Sequence, residues 1–443
     1  MRSRTGFALL ALGALLAPAA THAQILSARR MAMGGVMVTR GGPGSDAVNV
    51  AYRAVPRSPE ASGGVSLPIG LVPVLANPPE LDSKKPGFNA FELANLLYDP
   101  PWNLTLSKPD TPSSDVTVSI AKNSLAVDLG DIRNVFPKDE SRIGVVSHAP
   151  TLVVGIGRGF IGVSPLVHYQ NDLRLNANLK GALVDAQPFL PRTDYALHDH
   201  ALGQAAVQAM AGWAQSVWTP PGAADHSRSG LYAGARAKLL RGLVYGEADN
   251  NAAFTTGDTL FASIPVDLRY GGNLRSATPA NGKFGTGLDV GAVWVSGASE
   301  FGLAINDIGT RIRWNVKESV VAKDSVSGNY SQQTVRESTP FTSEVPVTAL
   351  LTASTRVGAV LLAADVARSA NDLTTVHVGA EQWLGRIAVR AGAGVDANNM
   401  LQGSGGVGLR FGRLGLDIAV ASNSRNLSRE RAVELGAGLA FYH

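Results

Sequence analysis

The sequence predicts an all-β protein, a transmembrane antiparallel β-barrel of about 14 strands. Three observations predict it. Apolar and polar residues alternate with a period of two in many short segments. Tight glycine turns alternate with longer polar connections along the C-terminal region. No run of about 20 uncharged apolar residues follows the N-terminus, so a chain that crosses a membrane here crosses it as strands.

The first 23 residues, "MRSRTGFALLALGALLAPAATHA", have the pattern of a cleaved export signal. Arg2 and Arg4 form a basic start, an apolar run follows, and Thr21-His22-Ala23 is the small-residue exit before Gln24. Loss of the two arginines lowers the formal charge from +4 to +2, too nearly neutral to suggest nucleic acid. The absence of cysteine excludes disulfides, thiol chemistry and Cys-based metal sites.

The C-terminal hairpins predict their own register. If Gly385-Arg386 is a two-residue turn, Leu384 faces Ile387 and Glu381 lies opposite Arg390. In the next hairpin, Arg410 and Asp417 point inward and are expected to lie near one another. The residues predicted to line the lumen are His377, Glu381, Arg390, Arg410 and Asp417. We interpret them as polar wall lining, typical of barrel interiors, in preference to a specific substrate site.

The stretch "TLVVGIGRGFIGVSP" (151–165) has the glycine spacing of a dinucleotide-binding loop, Gly157-x-Gly159-x-x-Gly162. That loop requires a helix after the glycines, and Pro165 interrupts one. The apolar residues instead alternate on both sides of the turn and change phase across it. The pattern therefore predicts a barrel hairpin.

Two helix-like segments interrupt the strand pattern, one near 88–99 and one at 194–218. In the second, apolar residues from Leu197 to Val217 recur every four residues, as in an apolar helical stripe. One interpretation is that the stripe packs on the barrel rim. The other is that two helices form a capture groove for a hydrophobic ligand, with the candidate binding residues Leu197, Leu202, Met210 and Trp213.

Neither a metal site nor an enzyme is expected. His198, His200 and His226 lie near Asp199 and Asp225, but i, i+2 spacing on a helix places the first two histidines on different faces. The G-x-S-x-G and H-E-x-x-H signatures do not occur. We therefore expect no catalytic residues, no metal and no cofactor.

The stretch "ARRMAMGGVMVTRGGPGSDAVNVA" (28–51) resembles the mature N-terminus of the FadL-like outer-membrane superfamily. Met33, Gly34, Gly35, Asp46 and Asn49 match its pattern, although Val50 replaces the family's proline. "FGTGLDVGAVW" and "LRFGRLGLDIAVA" resemble strands of its TraF-like and PorV-like branches. The resemblance implies that residues 24–56, with those five matching positions, plug a barrel formed by residues 57–443, and that helices in outer loops capture a hydrophobic molecule.

Two functions remain open at this point. The first is passive uptake or transport of hydrophobic compounds across the outer membrane, with membrane lipid and a hydrophobic small molecule as partners. The alternative is an accessory or structural outer-membrane protein of a conjugation (TraF-like) or secretion apparatus, with envelope machinery proteins as partners. Neither involves nucleic acid.

Overall fold

The computed structural model describes most of the chain from Ala28 onward: residues 28–41, 45–56, 58, 62–68, 103–105, 117–121, 124–128, 140–147, 152–183, 185, 187–222, 227–258, 267–323, 330–368, 374–395, 401–423 and 432–442. The predicted signal peptide (1–23) and the helix predicted near 88–99 lie outside these residues. No helix in the described ranges is both long and apolar enough to cross a bilayer.

The described elements are two short helices, one 3-10 turn and twenty strands. The helices are α1 (Ala28–Ala32) and α2 (Ala177–Leu183), and the 3-10 turn spans Val50–Arg53. The strands are β1 (Ser62–Pro68), β2 (Asn103–Thr105), β3 (Thr117–Ala121), β4 (Ser124–Asp128), β5 (Glu140–Ser147), β6 (Leu152–Ile156), β7 (Gly159–Leu175), β8 (Asp194–Trp218), β9 (Gly230–Thr255), β10 (Asp267–Ala277), β11 (Gly282–Ser296), β12 (Ser299–Lys323), β13 (Tyr330–Glu344), β14 (Thr348–Val357), β15 (Val360–Arg368), β16 (Thr374–Leu384), β17 (Ile387–Val395), β18 (Leu401–Phe411), β19 (Leu414–Asn423) and β20 (Ala432–Tyr442).

Eighteen strands form one antiparallel sheet, the transmembrane barrel, and β3 and β4 form a separate hairpin. Four positions of the sheet are shared by two collinear strands that pair with the same neighbour: β1 with β2, β5 with β6, β10 with β11, and β13 with β14. The 18 strands, less these four, therefore occupy 14 positions side by side, the number that the sequence predicts. The first strand pairs with the last, because β1 lies against β20.

Five tight turns lie at one end of the barrel. Each begins with a glycine of positive φ, the left-handed conformation that costs glycine least: Gly157, Gly297, Gly358, Gly385 and Gly412. In the first turn Ile156 pairs with Gly159, so the phosphate-loop spacing is confirmed as a hairpin turn. In the Gly385 turn Leu384 pairs with Ile387 and Glu381 with Arg390, which confirms the predicted register.

The outer face of the sheet carries exposed apolar side chains, as a lipid-facing wall requires. Aromatic rings lie near the tight turns, where Trp294 and Phe301 stack with ring centroids 5.6 Å apart. The exposed apolar side chains include Val154, Ile161, Val163, Leu239, Leu303, Leu351, Leu362, Val378, Val389, Val407, Leu416 and Ile418.

Several strands are much longer than a bilayer needs. β8 and β12 have 25 residues and β9 has 26, whereas about 9–11 tilted residues cross the hydrocarbon core. Exposed large apolar side chains on β8 and β9 are confined to the halves nearer the turns, Val207 to Trp218 and Leu231 to Leu239. The far halves of these strands, together with β10, β13 and the far half of β12, therefore stand beyond the membrane; we call this part the extension.

Two exposed valines test where the lipid ends. Val407 on β18 pairs with Val389 and Ile418, whereas Val335 lies on β13 in the extension. We expect Val407→Arg to destabilise the folded barrel by about 2–4 kcal/mol, because it places a cation in hydrocarbon. Val335→Arg is expected to cost less than about 0.5 kcal/mol. Urea titrations of the barrel refolded in lipid vesicles measure both, and equal costs would contradict the assignment of the lipid face.

The segment 194–218 is strand β8 and not a helix, which corrects the sequence prediction. The prediction failed because a spacing of four residues fits both structures. Residues four apart share one face of a helix, and they also share one face of a strand, in which side chains alternate with a period of two. Pairing with β7 and β9 along nearly its whole length satisfies the backbone of this alanine-rich segment and overrides its helix propensity.

Candidate functional site: the barrel interior

The N-terminal segment, residues 28–56, lies against the inner face of the barrel. Its α1 helix contacts β17 to β20. Arg29 makes two hydrogen bonds to the carboxylate of Glu381, at 2.8 and 2.6 Å. Arg390 donates to the same carboxylate at 2.7 Å and to Asp417 at 2.7 Å. All four side chains are buried, so each charge depends on the others for compensation.

Glycines of the wall make room for Met33-Gly34-Gly35. A Cβ atom on Gly379 would lie 2.4 Å from the Met33 carbonyl oxygen, and one on Gly392 would lie 2.1 Å from the Gly34 nitrogen. Gly34 has φ +77°, and its own N–H donates to Ser404 Oγ at 2.7 Å. The glycines in β16 and β17 therefore let two backbones meet in van der Waals contact.

Asn49 joins the segment to the opposite wall. Its side-chain oxygen accepts from the Ala51 N–H at the start of the 3-10 turn. Its Nδ2 donates to the carbonyl oxygens of Ala292 on β11 and Leu303 on β12, at 3.2 and 3.1 Å. The segment thus crosses the interior from β16–β20 to β11 and β12.

Asp46 makes further contacts of the segment. Its carboxylate accepts from Arg53, at 3.1 Å, within the segment itself. Its backbone carbonyl accepts from Arg236 on β9, at 3.2 Å. Asp46 therefore ties the segment both to itself and to the wall.

The remaining lumen candidates lie apart. His377 Nδ1 is 2.7 Å from Asp365, whose other oxygen accepts from the Met37 N–H. Arg410 and Asp417 are diagonal neighbours on β18 and β19, where Gly408 pairs with Asp417 and Arg410 with Gly415; Arg410 donates to the carbonyl of Gly412 at the turn, and Asp417 accepts from Arg390. Gly408, which has no side chain, leaves the space in which the Arg390 guanidinium reaches Asp417.

A second buried ionic cluster escaped the sequence analysis. Lys238 Nζ lies 2.5 Å from Asp289 and 2.6 Å from Asp307, and Arg236 is 2.6 Å from Asp289. The sequence does indicate such a cluster. The stretch "AGARAKLL" (233–240) is apolar apart from two cations at inward positions, and cations buried in this way require buried partners. Asp289 lies on β11, which pairs directly with β9. Asp307 lies on β12, the next strand after β11.

The wall is broken beside this cluster. Asp307 has φ 61° and Gly309 has φ 60°, and there the pairing partner of β12 changes from β14 to β13. A hydrogen bond from the Val345 N–H to the Thr310 carbonyl, at 2.9 Å, spans the gap. The backbone amide of Asp307 donates to Asp289 at 2.8 Å, so the ionic cluster holds the break in place.

A cavity of about 510 Å³ lies at this break, where the extension joins the lipid-facing wall. Its apolar lining comes from Leu202, Tyr245, Phe341 and Val345. Behind it is a buried apolar cluster on β7, β8, β9 and β12, which includes Leu166, Leu240, Ile312 and Trp314. The cavity thus combines an apolar surface with polar and charged side chains, which include His168, Glu247 and Arg311.

The four candidate ligand-binding residues do not form one site. Leu202 lines the 510 Å³ cavity, and Met210 is buried on the same face, lower in the barrel. Trp213 lies on the outer face. Leu197 lines a different cavity of about 600 Å³ at the tip of the extension and packs beside the aromatic cluster of Phe189, Tyr195 and Phe254. The stripe splits because even and odd residues of a strand face opposite sides.

His200 and Glu247 form a polar pair in the extension. Glu247 accepts from Tyr245 and Arg275, and His200 Nε2 lies 3.2 Å from it. The hydrogen bond from His200 is the main cause that lowers the pKa of Glu247 to about 2, and the same bond raises the pKa of His200. The carboxylate and the imidazolium therefore stabilise one another.

This pair predicts a pH dependence of the extension. The pKa of His200 is higher in the folded protein than in the unfolded protein. Its protonation therefore stabilises the fold fully below the unfolded-state pKa, and this stabilisation disappears as pH rises through the folded-state pKa. The lowered Glu247 pKa contributes stability that is lost only as pH falls toward about 2. We expect amide exchange in residues 244–255, corrected for intrinsic rates, to be slower at pH 6 than at pH 9. His200→Gln should remove that difference, and its persistence in the variant would contradict the assignment.

The histidines considered for a metal site have other partners. His198 Nδ1 lies 2.9 Å from Asn251 Oδ1, and His200 bonds Glu247. Asp225 and His226 lie outside the described residues. Within the described part of the chain, no group of three or more histidine or acidic side chains is placed to hold a metal ion.

No protein-family model matches this sequence, and no curated protein matches it. Solved structures similar to it include the toluene transporter TodX of Pseudomonas putida, 12% identical with a TM-score of 0.38, over 94% of this chain and 96% of that one. The toluene transporter TbuX of Ralstonia pickettii is 13% identical with a TM-score of 0.33, over 66% and 80% of the two chains. The siderophore receptor PirA of Pseudomonas aeruginosa is 9% identical with a TM-score of 0.25, over 76% and 79%. The barrel architecture assigned to this chain is the one that its own strand pairings define.

Proposed function

We propose that this protein sits in the outer membrane and carries hydrophobic compounds passively across it, with residues 24–56 as a plug. The observation that carries the proposal is the cavity at the wall break, with its apolar side chains Leu202, Phe341 and Val345. A concave, mostly apolar chamber with a few polar groups is the usual form of a small-molecule site. An apolar solute is disfavoured at the polar headgroup surface of the membrane. A chamber in the barrel wall provides such a solute with a binding position at the level of the headgroups. For the alternative, an accessory role in a conjugation or secretion apparatus, the described residues offer no favouring observation.

Uptake of labelled ethylbenzene by a Gram-negative host tests the proposal. Cells that export the full chain should take up ethylbenzene faster than the host alone, with saturation. Leu202→Trp fills the cavity and should return uptake to the host rate. Leu239→Trp, on the lipid face, is the matched control and should leave uptake unchanged. Equal uptake by all four strains would refute transport.

A disulfide tests whether the segment must leave the wall during transport. The cysteine-free chain allows one to be introduced between Ala28 and Gly436, where a Cβ on the glycine would lie 3.8 Å from the alanine Cβ, close to the mean of about 3.8 Å for disulfides. We expect Ala28→Cys/Gly436→Cys to keep its uptake when oxidised, because passive transport supplies no energy to break the buried Arg29–Glu381 pair. Loss of uptake that a reductant restores would mean that the segment moves.

A further inference from the structure

We propose that the 510 Å³ cavity selects uncharged compounds that combine an apolar body with a hydrogen-bond acceptor, such as a ketone, ester or ether, and that His168 Nε2 donates to that acceptor. The inference rests on the proposed function and names its substrate class. It is carried by a hydrogen-bonded relay behind the cavity, from Trp314 through Ser343 and Gln204 to His168.

The relay begins at a group that can only donate. Trp314 Nε1 lies 2.8 Å from Ser343 Oγ, and an indole N–H has no acceptor capacity. Ser343 Oγ therefore accepts from Trp314, and its own hydrogen is free to point at Gln204 Oε1, 2.5 Å away. The oxygen of the Gln204 amide is thereby assigned to the Ser343 side.

The other end of Gln204 is assigned independently. Its Nε2 lies 2.9 Å from the backbone carbonyl of Glu344, a group that can only accept. The same Nε2 lies 2.8 Å from His168 Nδ1. Since the amide nitrogen donates there, Nδ1 accepts and carries no hydrogen, so the neutral imidazole is protonated at Nε2.

That Nε2–H belongs to a residue that lines the cavity, and it makes no hydrogen bond of good geometry within the described part of the chain. His168 is 1% exposed and lines the cavity, and its Nε2 makes no hydrogen bond to any described residue. The Gln170 amide, two residues along β7, also lines the cavity and approaches the His168 ring, but the geometry at Nε2 does not meet that of a hydrogen bond. A buried donor held in one tautomer and left unsatisfied needs an acceptor from outside the chain.

The charges around the cavity indicate an uncharged ligand. Arg311 lines it but is paired with Glu344, 3.0 Å away, and Glu247 is bonded by Tyr245, Arg275 and His200. A carboxylate ligand would therefore meet two acidic side chains and no cation that lacks a partner. A ketone or ether oxygen accepts from His168 without bringing a charge into the apolar chamber.

A matched pair of probes tests the selection. Benzophenone and diphenylmethane have the same two rings and differ in the carbonyl acceptor. Equilibrium dialysis of the refolded mature chain in detergent, corrected for partition into empty micelles, should show a roughly fivefold preference for benzophenone, as a neutral hydrogen bond provides. Irradiated benzophenone should crosslink to peptides that contain Leu202, Phe341 or Val345.

Variants separate the donor from the cavity. His168→Phe keeps an aromatic ring without the N–H, so the preference should fall to about one while diphenylmethane binding stays unchanged. Gln204→Leu removes the amide that holds the His168 tautomer and should also lower the preference; it serves if His168→Phe fails to fold, as heat-dependent gel migration shows. His198→Phe, outside the cavity, is the control and should keep the wild-type ratio.

Equal binding of the two probes by the wild type, or crosslinks that map elsewhere, would overturn the proposal. Because binding is measured in micelles, the result does not depend on transport. A host that shows no added uptake while the His168-dependent preference stands would refute the proposed function alone.

Discussion

Glu381→Gln is expected to destabilise the folded protein by about 3–5 kcal/mol, the typical cost of breaking a buried ion pair by removing one partner. Glu381 is shared by Arg29 of the N-terminal segment and Arg390 of the wall. The glutamine keeps the volume but leaves one carboxylate, Asp417, in the cluster for two buried guanidinium groups. Urea titration of the mature chain in lipid vesicles, followed by tryptophan fluorescence, measures the loss.

The control for this variant is an exposed pair in the extension. Lys317 and Glu337 lie 3.1 Å apart, and the Glu337 side chain is 75% exposed. Exposed ion pairs contribute little, so Glu337→Gln should change stability by less than about 1 kcal/mol. If the two glutamine variants lost the same stability, Glu381 would not be an anchor of the segment.

Gly392→Ala is expected to displace the N-terminal segment from a barrel that remains folded. The new Cβ would lie 2.1 Å from the backbone atoms Met33 C and Gly34 N, which cannot rotate away as a side chain can. Overpacking of this kind costs about 1–3 kcal/mol, which raises the population of displaced segment about fivefold or more. Trypsin cleavage after Arg29, Arg30 or Arg40, measured by mass spectrometry while the barrel keeps its gel shift, reports that population.

Gly403→Ala on the adjacent strand β18 is the matched control. A Cβ there meets nothing within 4 Å, so the same substitution should leave cleavage at the wild-type rate. Rapid cleavage in both variants would show that loss of any strand glycine loosens the segment, and the steric explanation would be wrong.

The period-two pattern and the turns were sufficient to predict the wall. A two-residue turn determines which residues oppose each other, so the pairing of Glu381 with Arg390 follows from Gly385-Arg386 alone. The same reasoning failed for 194–218, because a spacing of four residues fits a strand as well as a helix. The discriminating information was the pairing of β8 with β7 and β9, which is not local in sequence.

The interior was less predictable than the wall. Arg236 and Lys238 stand out as inward cations, but their partners Asp289 and Asp307 are about 50 to 70 residues away along the chain. Likewise, nothing near His168 in sequence indicates Gln204, Ser343 or Trp314. Contacts across several strands depend on the order of the strands around the barrel, and local patterns do not contain that order.

The contact between Arg29 and Glu381 has a kinetic consequence. The two residues lie 352 positions apart, so the first part of the described chain to be synthesised waits for β16 before its ion pair can form. Contacts of such sequence separation make folding slow. Once the wall is complete, a segment still outside could reach the glycines of β16 and β17 only by entering the lumen from one end. We expect residues 28–56 to dock on β16 to β20 before the wall is complete, so that the last strands assemble around the segment.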